Sequence, residues 1–409
     1  MNDTYEKIEN KSLSHVKGFS GIGIHSGIKK ARKKDLCLIY SEKPAVAAAS
    51  FTKNVVKAAP VIIDMDHIKS NNISALIINS GNANACTGSD GLHDALEMCQ
   101  LVGAAMGISE KQVLVYSTGV IGEKLPMDKV RSGIRKCSLK LVKNSADHCE
   151  EAIMTTDTRK KEIFIEIELS GKVVSIYGMA KGSGMIHPNM ATMLSYIITD
   201  CNITKNLLTK IHVESVDNSY NLISVDGDTS TNDTATILAN GCGENKLIDK
   251  ENEDYLIFKR AVDYVNLFLA KEIARDGEGA KKLIEVRLEG AKSKEDARKC
   301  ARAIVSSSLV KTAIHGADAN WGRILCAMGY SGGEFNPANV DLSFENIKGN
   351  VQVFKKGSPM DFDEKLAHII LTENEITIHA NLNEGNFSAT AFGCDLTNEY
   401  IKINGSYRS

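Results

Sequence analysis

Four polar, glycine-rich segments interrupt an otherwise apolar background, and they hold the side chains best suited to chemistry. Ser117-Thr118-Gly119 follows an apolar run, so a turn is its default reading, although a Thr-Gly pair can aim a hydroxyl and a backbone N–H at a developing oxyanion. Lys181-Gly182-Ser183-Gly184-Met185-Ile186-His187-Pro188 invites a nucleotide-binding reading and fails it. It has no third glycine at dinucleotide spacing and no Gly-Lys-Ser/Thr. Its glycines suit a sharp turn or a close backbone approach, and His187 alone reads as structural. Asp226-Gly227-Asp228-Thr229-Ser230-Thr231-Asn232-Asp233 has metal-loop composition, but its glycine is misplaced for an EF-hand. Capping and turn formation explain it better. Arg275-Asp276-Gly277-Glu278-Gly279-Ala280 sets one carboxylate between two glycines, as a solvated helix end or as a substrate contact.

A threonine hydroxyl is a poor nucleophile near neutral pH unless a base is beside it, and an N-terminal threonine carries its own as its α-amino group. Such amines titrate at about 7.7–8.0, close to working pH. A threonine that starts inside a chain must therefore be released by cleavage. Its hydroxyl attacks the preceding carbonyl, the acyl group moves from nitrogen to oxygen, and water hydrolyses the ester. A small preceding residue and upstream glycines ease that geometry. Ala191, Gly182 and Gly184 fit around Thr192. By residue types alone, a mid-chain threonine is still a packing residue by default.

These segments have to be held by the runs between them. Leu36–Tyr40, Ala45–Thr52, Ala75–Ile78 and Val113–Tyr116 read as strands, the last running into Ser117. Leu92–Met106 has helical spacing, and Met127–Ala152 reads as a helix broken near Asn144. Ile163–Ile176 is a hairpin around Ser170-Gly171. Helices are expected near Leu207–Tyr220, Asp254–Ala274 and Ser293–Val305, a strand near Leu283–Leu288, and further strands over Ile376–Ile403. Strands and helices do not alternate one for one, which suits an α+β or layered α/β protein. No proline-rich linker, repeat or low-complexity tract divides the chain.

The 409 residues are ample for one large or two ordinary domains, and 43% hydrophobic with 24% charged residues is the mix of a globular protein. Lys+Arg 49 against Asp+Glu 51 leaves a formal charge of -2, without the basic excess of a nucleic-acid or membrane-surface binder. The basic run Lys29–Lys34 reads as a solvated turn. The polar N-terminus lacks a signal-peptide core, and no apolar stretch is long enough to span a bilayer. The ten cysteines are scattered without a Cys-x-x-Cys pair, so reduced, mostly buried thiols and a cytoplasmic location are expected.

The run from Lys181 through Pro188-Asn189-Met190-Ala191-Thr192-Met193-Leu194 resembles the processing site of the glutamate N-acetyltransferases, the ornithine acetyltransferases of arginine biosynthesis. The resemblance covers nearly the whole chain, through Gly18-Phe19, Asn79–Gly88, Ser117–Gly119, Val225–Asp233, Ala274–Ala280 and Ile403-Asn404 in order. It implies a layered α/β sandwich of the ornithine acetyltransferase type. It further implies cleavage between Ala191 and Thr192 into an alpha chain (1–191) and a beta chain (192–409), which stay intertwined and assemble as a heterotetramer. The implied reaction is ping-pong: Thr192 Oγ takes the acetyl group from N2-acetylornithine and passes it to glutamate, with no metal or other cofactor. Some members of the family also accept acetyl-CoA as donor.

By the same resemblance Thr118 and Gly119 line the oxyanion hole, and Thr155, Lys181, Thr192, Glu278, Asn404 and Ser409 contact substrate. Lys181 suits a substrate carboxylate, and Glu278 an amine of ornithine or of Thr192. Thr156 adjoins Thr155 as an alternative contact. Ser409 stands where the family usually has threonine, and Lys281 where a threonine commonly follows Gly-Glu-Gly-Ala. Competing readings are a self-processing N-terminal-nucleophile amidohydrolase or aminopeptidase, and an amino-acid-binding protein without catalysis.

Overall fold

Apolar runs and glycine turns fold, in a computed structural model that describes residues 5–141, 146–187 and 193–405, into two units. The chain begins with β1 (Phe19–Ile24), β2 (Leu36–Phe51), α1 (Ala59–His67), β3 (Ile73–Asn82), α2 (Gly88–Met106) and β4 (Val113–Val120). It continues through α3 (Met127–Lys140), β5 (Ala146–Asp147), α4 (Cys149–Ile153), β6 (Lys161–Leu169), β7 (Lys172–Lys181), β8 (Leu194–Thr199) and α5 (Lys205–Asn218). Next come β9 (Ile223–Ser224), β10 (Thr234–Ala239), α6 (Glu253–Arg275), β11 (Leu283–Ala291), α7 (Lys294–Ser306), α8 (Ser308–His315) and α9 (Trp321–Gly329). The last elements are β12 (Asp341–Asn346), β13 (Gly349–Lys355), β14 (Ser358–Pro359), α10 (Glu364–Thr372), β15 (Glu375–Asn381), β16 (Phe387–Cys394) and α11 (Asn398–Gly405). Unit 1 comprises residues 1–182, 189–217 and 229–269; unit 2 comprises 183–188, 218–228 and 270–409.

Unit 1 is a layered sandwich built around β2. Its strand path is β4-β3-β2-β10-β8-β7-β6, with β1 on β2. The expected strands Leu36–Tyr40 and Ala45–Thr52 are one strand with an irregularity between Tyr40 and Ala45. Pro44 lies there and has no N–H for a ladder, so the first half of β2 pairs with β1 and β3 and the second half with β10. The two halves of the sheet pack face to face, with the Tyr116 and Tyr196 rings edge-on at 4.9 Å. Residue alternation explains the layers. Cys37, Ile39, Leu76 and Ile78 point into that inner core, and Leu36, Leu38, Ala75 and Ile77 point outward to a second cluster with α2 and α3. On the outer side of β7, Gly178 admits Val265 and Leu269 of α6. The expected hairpin is β6–β7, with Leu169 opposite Lys172 across Ser170-Gly171.

Unit 2 holds a mixed sheet in the order β14-β13-β12-β15-β11-β16-β9, covered on one face by α7, α8, α9 and α10. The alternating burial of β15 puts Ile376, Ile378 and Ala380 in that core. The strands expected through Ile403 end at Cys394. Thr397 Oγ1 then accepts the Glu399 and Tyr400 N–H groups and starts α11 instead. The helix expected over Met127–Ala152 stops at Lys140, and Cys149–Ile153 forms a separate turn. Among the described residues, no helix is long and apolar enough to cross a membrane.

Candidate active site

In unit 1, the parallel strands β3 and β4 end side by side, with Ser80 opposite Thr118 and Gly81 opposite Gly119. A polar network holds these ends. Ser117 Oγ donates to Asn79 Oδ1 at 2.6 Å, and Asn79 Nδ2 donates to the Asn82 carbonyl at 2.8 Å. Asn232 Nδ2 donates to the carbonyls of Ala83 (2.6 Å) and Ser117 (2.8 Å). Gly119 has φ +135°, and a Cβ there would lie 2.3 Å from the Gly81 carbonyl carbon and 2.5 Å from the Asn82 nitrogen. Only glycine fits so tight a crossing. The Ser117-Thr118-Gly119 segment is therefore a strand end rather than a free turn.

Lys181 closes β7, and its Nζ lies 3.3 Å from Thr118 Oγ1; both residues are buried. Beside them sits Asp157, which the motifs did not single out. Its Oδ1 accepts from Lys161 Nζ and from the Gly182 N–H, each at 2.7 Å, and its Oδ2 accepts from the Thr155 N–H at 2.8 Å. Burial works to raise the Asp157 carboxyl, but Lys181, Lys161 and the Gly182 N–H outweigh it and hold the group below its ordinary range. Thr155 and Thr156 are both half-buried, and the Asp157 bond fixes the backbone of Thr155.

The basic run Lys29–Lys34 is not uniformly solvated. Lys30, Arg32 and Lys33 are exposed, but Lys29 turns inward, its Nζ donating to the carbonyls of Lys34 (2.8 Å) and Met154 (2.7 Å). Burial brings its ammonium down to about 8, against the pull of Asp35. Asp35 in turn accepts from the N–H groups of Ser26, Gly27 and Lys29 and fixes the loop.

In unit 2, Glu278 is buried, its N–H donates to the Ser183 carbonyl at 2.9 Å, and Asn404 Nδ2 donates to its Oε2 at 2.8 Å. Gly184 makes room for this carboxylate: a Cβ there would lie 2.3 Å from Glu278 Cδ. Asp226 accepts the N–H groups of Met185 (2.6 Å) and Ile186 (2.8 Å), and the Tyr400 hydroxyl at 3.2 Å. The Asp228 N–H reaches Asp226 Oδ1 at 3.3 Å, a local turn contact of the kind expected, but the shorter bonds of Asp226 go to segments remote in sequence. His187 Nδ1 lies 3.1 Å from Ser224 Oγ. Burial, with the charge of Arg302, pushes its ring down to about 4, so it stays a neutral hydrogen-bonding group. At the Lys281 departure, the N–H groups of Lys281 and Lys282 both reach Asp395 Oδ1, at 2.8 and 2.9 Å, so the backbone there is tied.

Of the expected site residues, Thr118, Gly119, Thr155 and Lys181 come together in unit 1, and Glu278 and Asn404 meet in unit 2. Ala191, Thr192 and Ser409 lie outside the described residues. The side-chain groups with metal-ligand spacing among the described residues are His93/Asp94/Glu97 and His148/Glu150/Glu151, none of them an expected site residue. Arg131 already pairs with Glu97, and Lys160 with Glu150 and Glu151.

Residues 20–409 match the model of the ArgJ family. The chain is 55% identical over 407 residues to arginine biosynthesis bifunctional protein ArgJ 1 of Clostridium acetobutylicum, covering 100% of both. It is 53% identical over 393 residues to arginine biosynthesis bifunctional protein ArgJ of Caldanaerobacter subterraneus subsp. tengcongensis, covering 96% of this chain and 97% of that one. The crystal structure of the ArgJ protein from Bacillus halodurans is similar at a TM-score of 0.50 and 45% identity, over 53% of this chain and 100% of that one.

Proposed function

The chain belongs to the ArgJ family, and on that premise we propose that it is a self-cleaving acetyltransferase of arginine biosynthesis. It moves the acetyl group of N2-acetylornithine to glutamate through an ester on Thr192. The observation that carries this reading is the meeting of Thr118 and Lys181, 3.3 Å apart, at the edge where Lys181 pairs with Leu194, two residues after Thr192.

In the first step Thr192 Oγ attacks the Ala191 carbonyl. The N-to-O shift and hydrolysis leave a carboxylate on Ala191 and a free α-amine on Thr192. That amine then takes the hydroxyl proton as Oγ attacks the acetyl carbonyl of N2-acetylornithine. The Thr118 hydroxyl and the Gly119 N–H receive the oxyanion. Collapse expels ornithine, whose amine takes the proton. Glutamate's amine attacks the ester in the second half-reaction, giving N-acetylglutamate and free Thr192. Lys181 holds the substrate α-carboxylate. Glu278, oriented by Asn404, holds an amine, with Thr155 and Ser409 as further contacts. An α-amide is broken and an α-amide is made, so the exchange needs no nucleotide to drive it.

The sheet of unit 1 supports continued association of the alpha (1–191) and beta (192–409) chains after cleavage. Strands β8 and β10 come from the second, and pair with β7 and β2 of the first. Chain separation would expose ladder groups and the inner core together. The length of the Bacillus halodurans chain is in keeping with the split. It covers 53% of this one, and residues 192–409 make up 218 of 409, about the same share. A cytoplasmic heterotetramer, and acetyl-CoA as a second acetyl donor, complete the proposal.

Incubation of the purified protein with N2-acetylornithine, with and without glutamate, tests it. Ornithine release that requires glutamate, with stoichiometric N-acetylglutamate, is expected. Release at the same rate without glutamate would identify an amidohydrolase instead.

A further inference from the structure

Asn232 lies near the end of the polar segment with metal-loop composition, and the reaction scheme gives it no task. The residue is buried. Its side-chain amide has two hydrogens and two acceptors for them, the carbonyls of Ala83 (2.6 Å) and Ser117 (2.8 Å). Its Oδ1 accepts the Thr231 hydroxyl at 2.6 Å. The Ala83 N–H in turn donates to the Val120 carbonyl at 2.9 Å. Ser117 and Val120, the residues on either side of Thr118-Gly119, are thus both tied to Ala83, one through Asn232 and the other directly. Opposite that stretch the register of β3 shifts between Gly81 and Asn82, so the regular ladder is interrupted there.

Asn232 is itself held by the other half of the sheet. Two residues on, Thr234 opens β10 and pairs in parallel register with Leu194 of β8, which follows Thr192 by the same interval. The Thr234 N–H donates to the Met193 carbonyl at 2.9 Å. Tyr116, directly before Ser117, reaches β10 as well, with its hydroxyl 2.9 Å from Thr236 Oγ1.

We propose, on the footing of the acetyl-transfer reading, that Asn232 is a positioning residue for the transfer. It holds the Ser117 and Ala83 carbonyls so that the Thr118 hydroxyl and the Gly119 N–H stay aligned with the strand that follows Thr192. In the cleaved enzyme it does so from the beta chain, acting on two segments of the alpha chain.

The bond directions support this. The Ser117 carbonyl shares its peptide plane with the Thr118 N–H, so a donor on that carbonyl fixes the plane from which Thr118 departs. Ser117 and Ala83 are both buried. Carbonyls that lose a donor there must turn toward another one or toward water. Either rotation carries Thr118 and Gly119 with it, and a displacement of about 1 Å at reacting groups can cost about 10²-fold in rate.

The test is a double-mutant cycle on wild type, Asn232→Ala, Thr118→Ala and the double variant, with N2-acetylornithine varied at saturating glutamate. Rates are taken per Thr192-terminated chain, counted by intact mass, so that slower cleavage does not enter. Asn232→Ala is expected to lower kcat at least about tenfold, with KM within about twofold of wild type. In the Thr118→Ala background the same substitution should lower kcat by a factor at least about threefold smaller, because one of the two groups it positions is already gone. A side chain that only stabilises the fold would lower the active fraction by the same factor in both backgrounds. Equal factors, or a KM effect with normal kcat, would therefore overturn the assignment. Should Asn232→Ala not accumulate as folded protein, Thr231→Val decides, since it keeps Asn232 and removes the hydroxyl that orients its amide. It is expected to lower kcat at least about threefold, and by less in the Thr118→Ala background. Unchanged kcat in Thr231→Val, or equal factors, would equally overturn it. Wild type without glutamate-dependent transfer would refute the acetyl-transfer reading itself, whereas active wild type with equal factors would refute the role of Asn232 alone.

Discussion

Gly119→Ala is expected to damage stability and catalysis together, by an amount that follows from its surroundings. The new methyl group would meet the Gly81 carbonyl carbon at 2.3 Å, the Asn82 nitrogen at 2.5 Å and the Gly81 oxygen at 2.7 Å. All three are backbone atoms, so no side chain can rotate away. The residue also keeps φ +135°, which costs an L-residue about 1–3 kcal/mol. Overpacking adds about 1–3 kcal/mol, for a total loss of about 2–6 kcal/mol. The cheapest relief is to push β4 away from β3, where the pairing is already irregular between Gly81 and Asn82. Under the proposed mechanism that displacement also moves the Gly119 N–H off the oxyanion, and one lost donor lowers kcat by about 10²–10³. Gly122→Ala is the control. It has φ +80° but nothing within 4 Å of its added Cβ, so only backbone strain of about 1–2 kcal/mol is expected. Urea unfolding of both variants, with kcat measured in parallel, gives the comparison. Equal stability losses, or full kcat in Gly119→Ala, would refute the reasoning.

Thr118→Ala should lower kcat by about 10²–10³ and slow chain cleavage, with KM little changed, because the proposed mechanism uses its hydroxyl as one donor to the oxyanion. A KM effect with normal kcat would instead mark Thr118 as a ground-state contact. Thr192→Ala should leave a single uncleaved chain without transfer activity, and measurable transfer by that variant would overturn the nucleophile assignment. His212 of α5 is fully buried, which pushes its ring down to about 4, with only the Ala235 backbone drawing it back. The unfolded chain binds that proton from about pH 6.5 and the folded one only near 4, so stability falls as pH drops through this window, by about 3 kcal/mol in all. Urea midpoints at pH 7, 5 and 4 should show His212→Leu with a shallower fall than wild type; identical slopes would rule His212 out as the source.

Long periodic segments were legible in the sequence because their patterns are local. Leu92–Met106 lies within α2, Asp254–Ala274 matches α6, and the β6–β7 hairpin turns at its Ser-Gly pair. What escaped was set by distant partners. Thr234–Ala239 and Leu194–Thr199 are short and buried throughout, so period alone does not separate strand from helix. β10 takes its place between β2, nearly two hundred positions away in sequence, and β8, 40 positions away. The C-terminal apolar pattern looked like strand until the Thr397 cap, a hydrogen-bond feature, made it helix.

The site shows the same division. Thr118, Gly119, Lys181 and Glu278 sit in compositionally unusual segments and could be named from motifs. Asp157 and Lys161 belong to the run Asp157-Thr158-Arg159-Lys160-Lys161, which carries no motif that would single it out. Only folding reveals that its first member accepts both the Gly182 N–H and the ammonium of its last. The bonds made by Tyr400 and Asn232 were not legible for the same reason, since their partners Asp226, Ala83 and Ser117 are remote in sequence.

Intact-mass spectrometry of the purified protein, before and after incubation with N2-acetylornithine alone, tests the central claim most directly. Two fragments are expected, one beginning at Met1 and ending at Ala191, the other beginning at Thr192. After incubation only the second should gain about 42 Da, one acetyl group held as an ester, and glutamate should then remove it. A single uncleaved 409-residue chain that nonetheless transfers acetyl groups, or an adduct on the first fragment, would contradict the account.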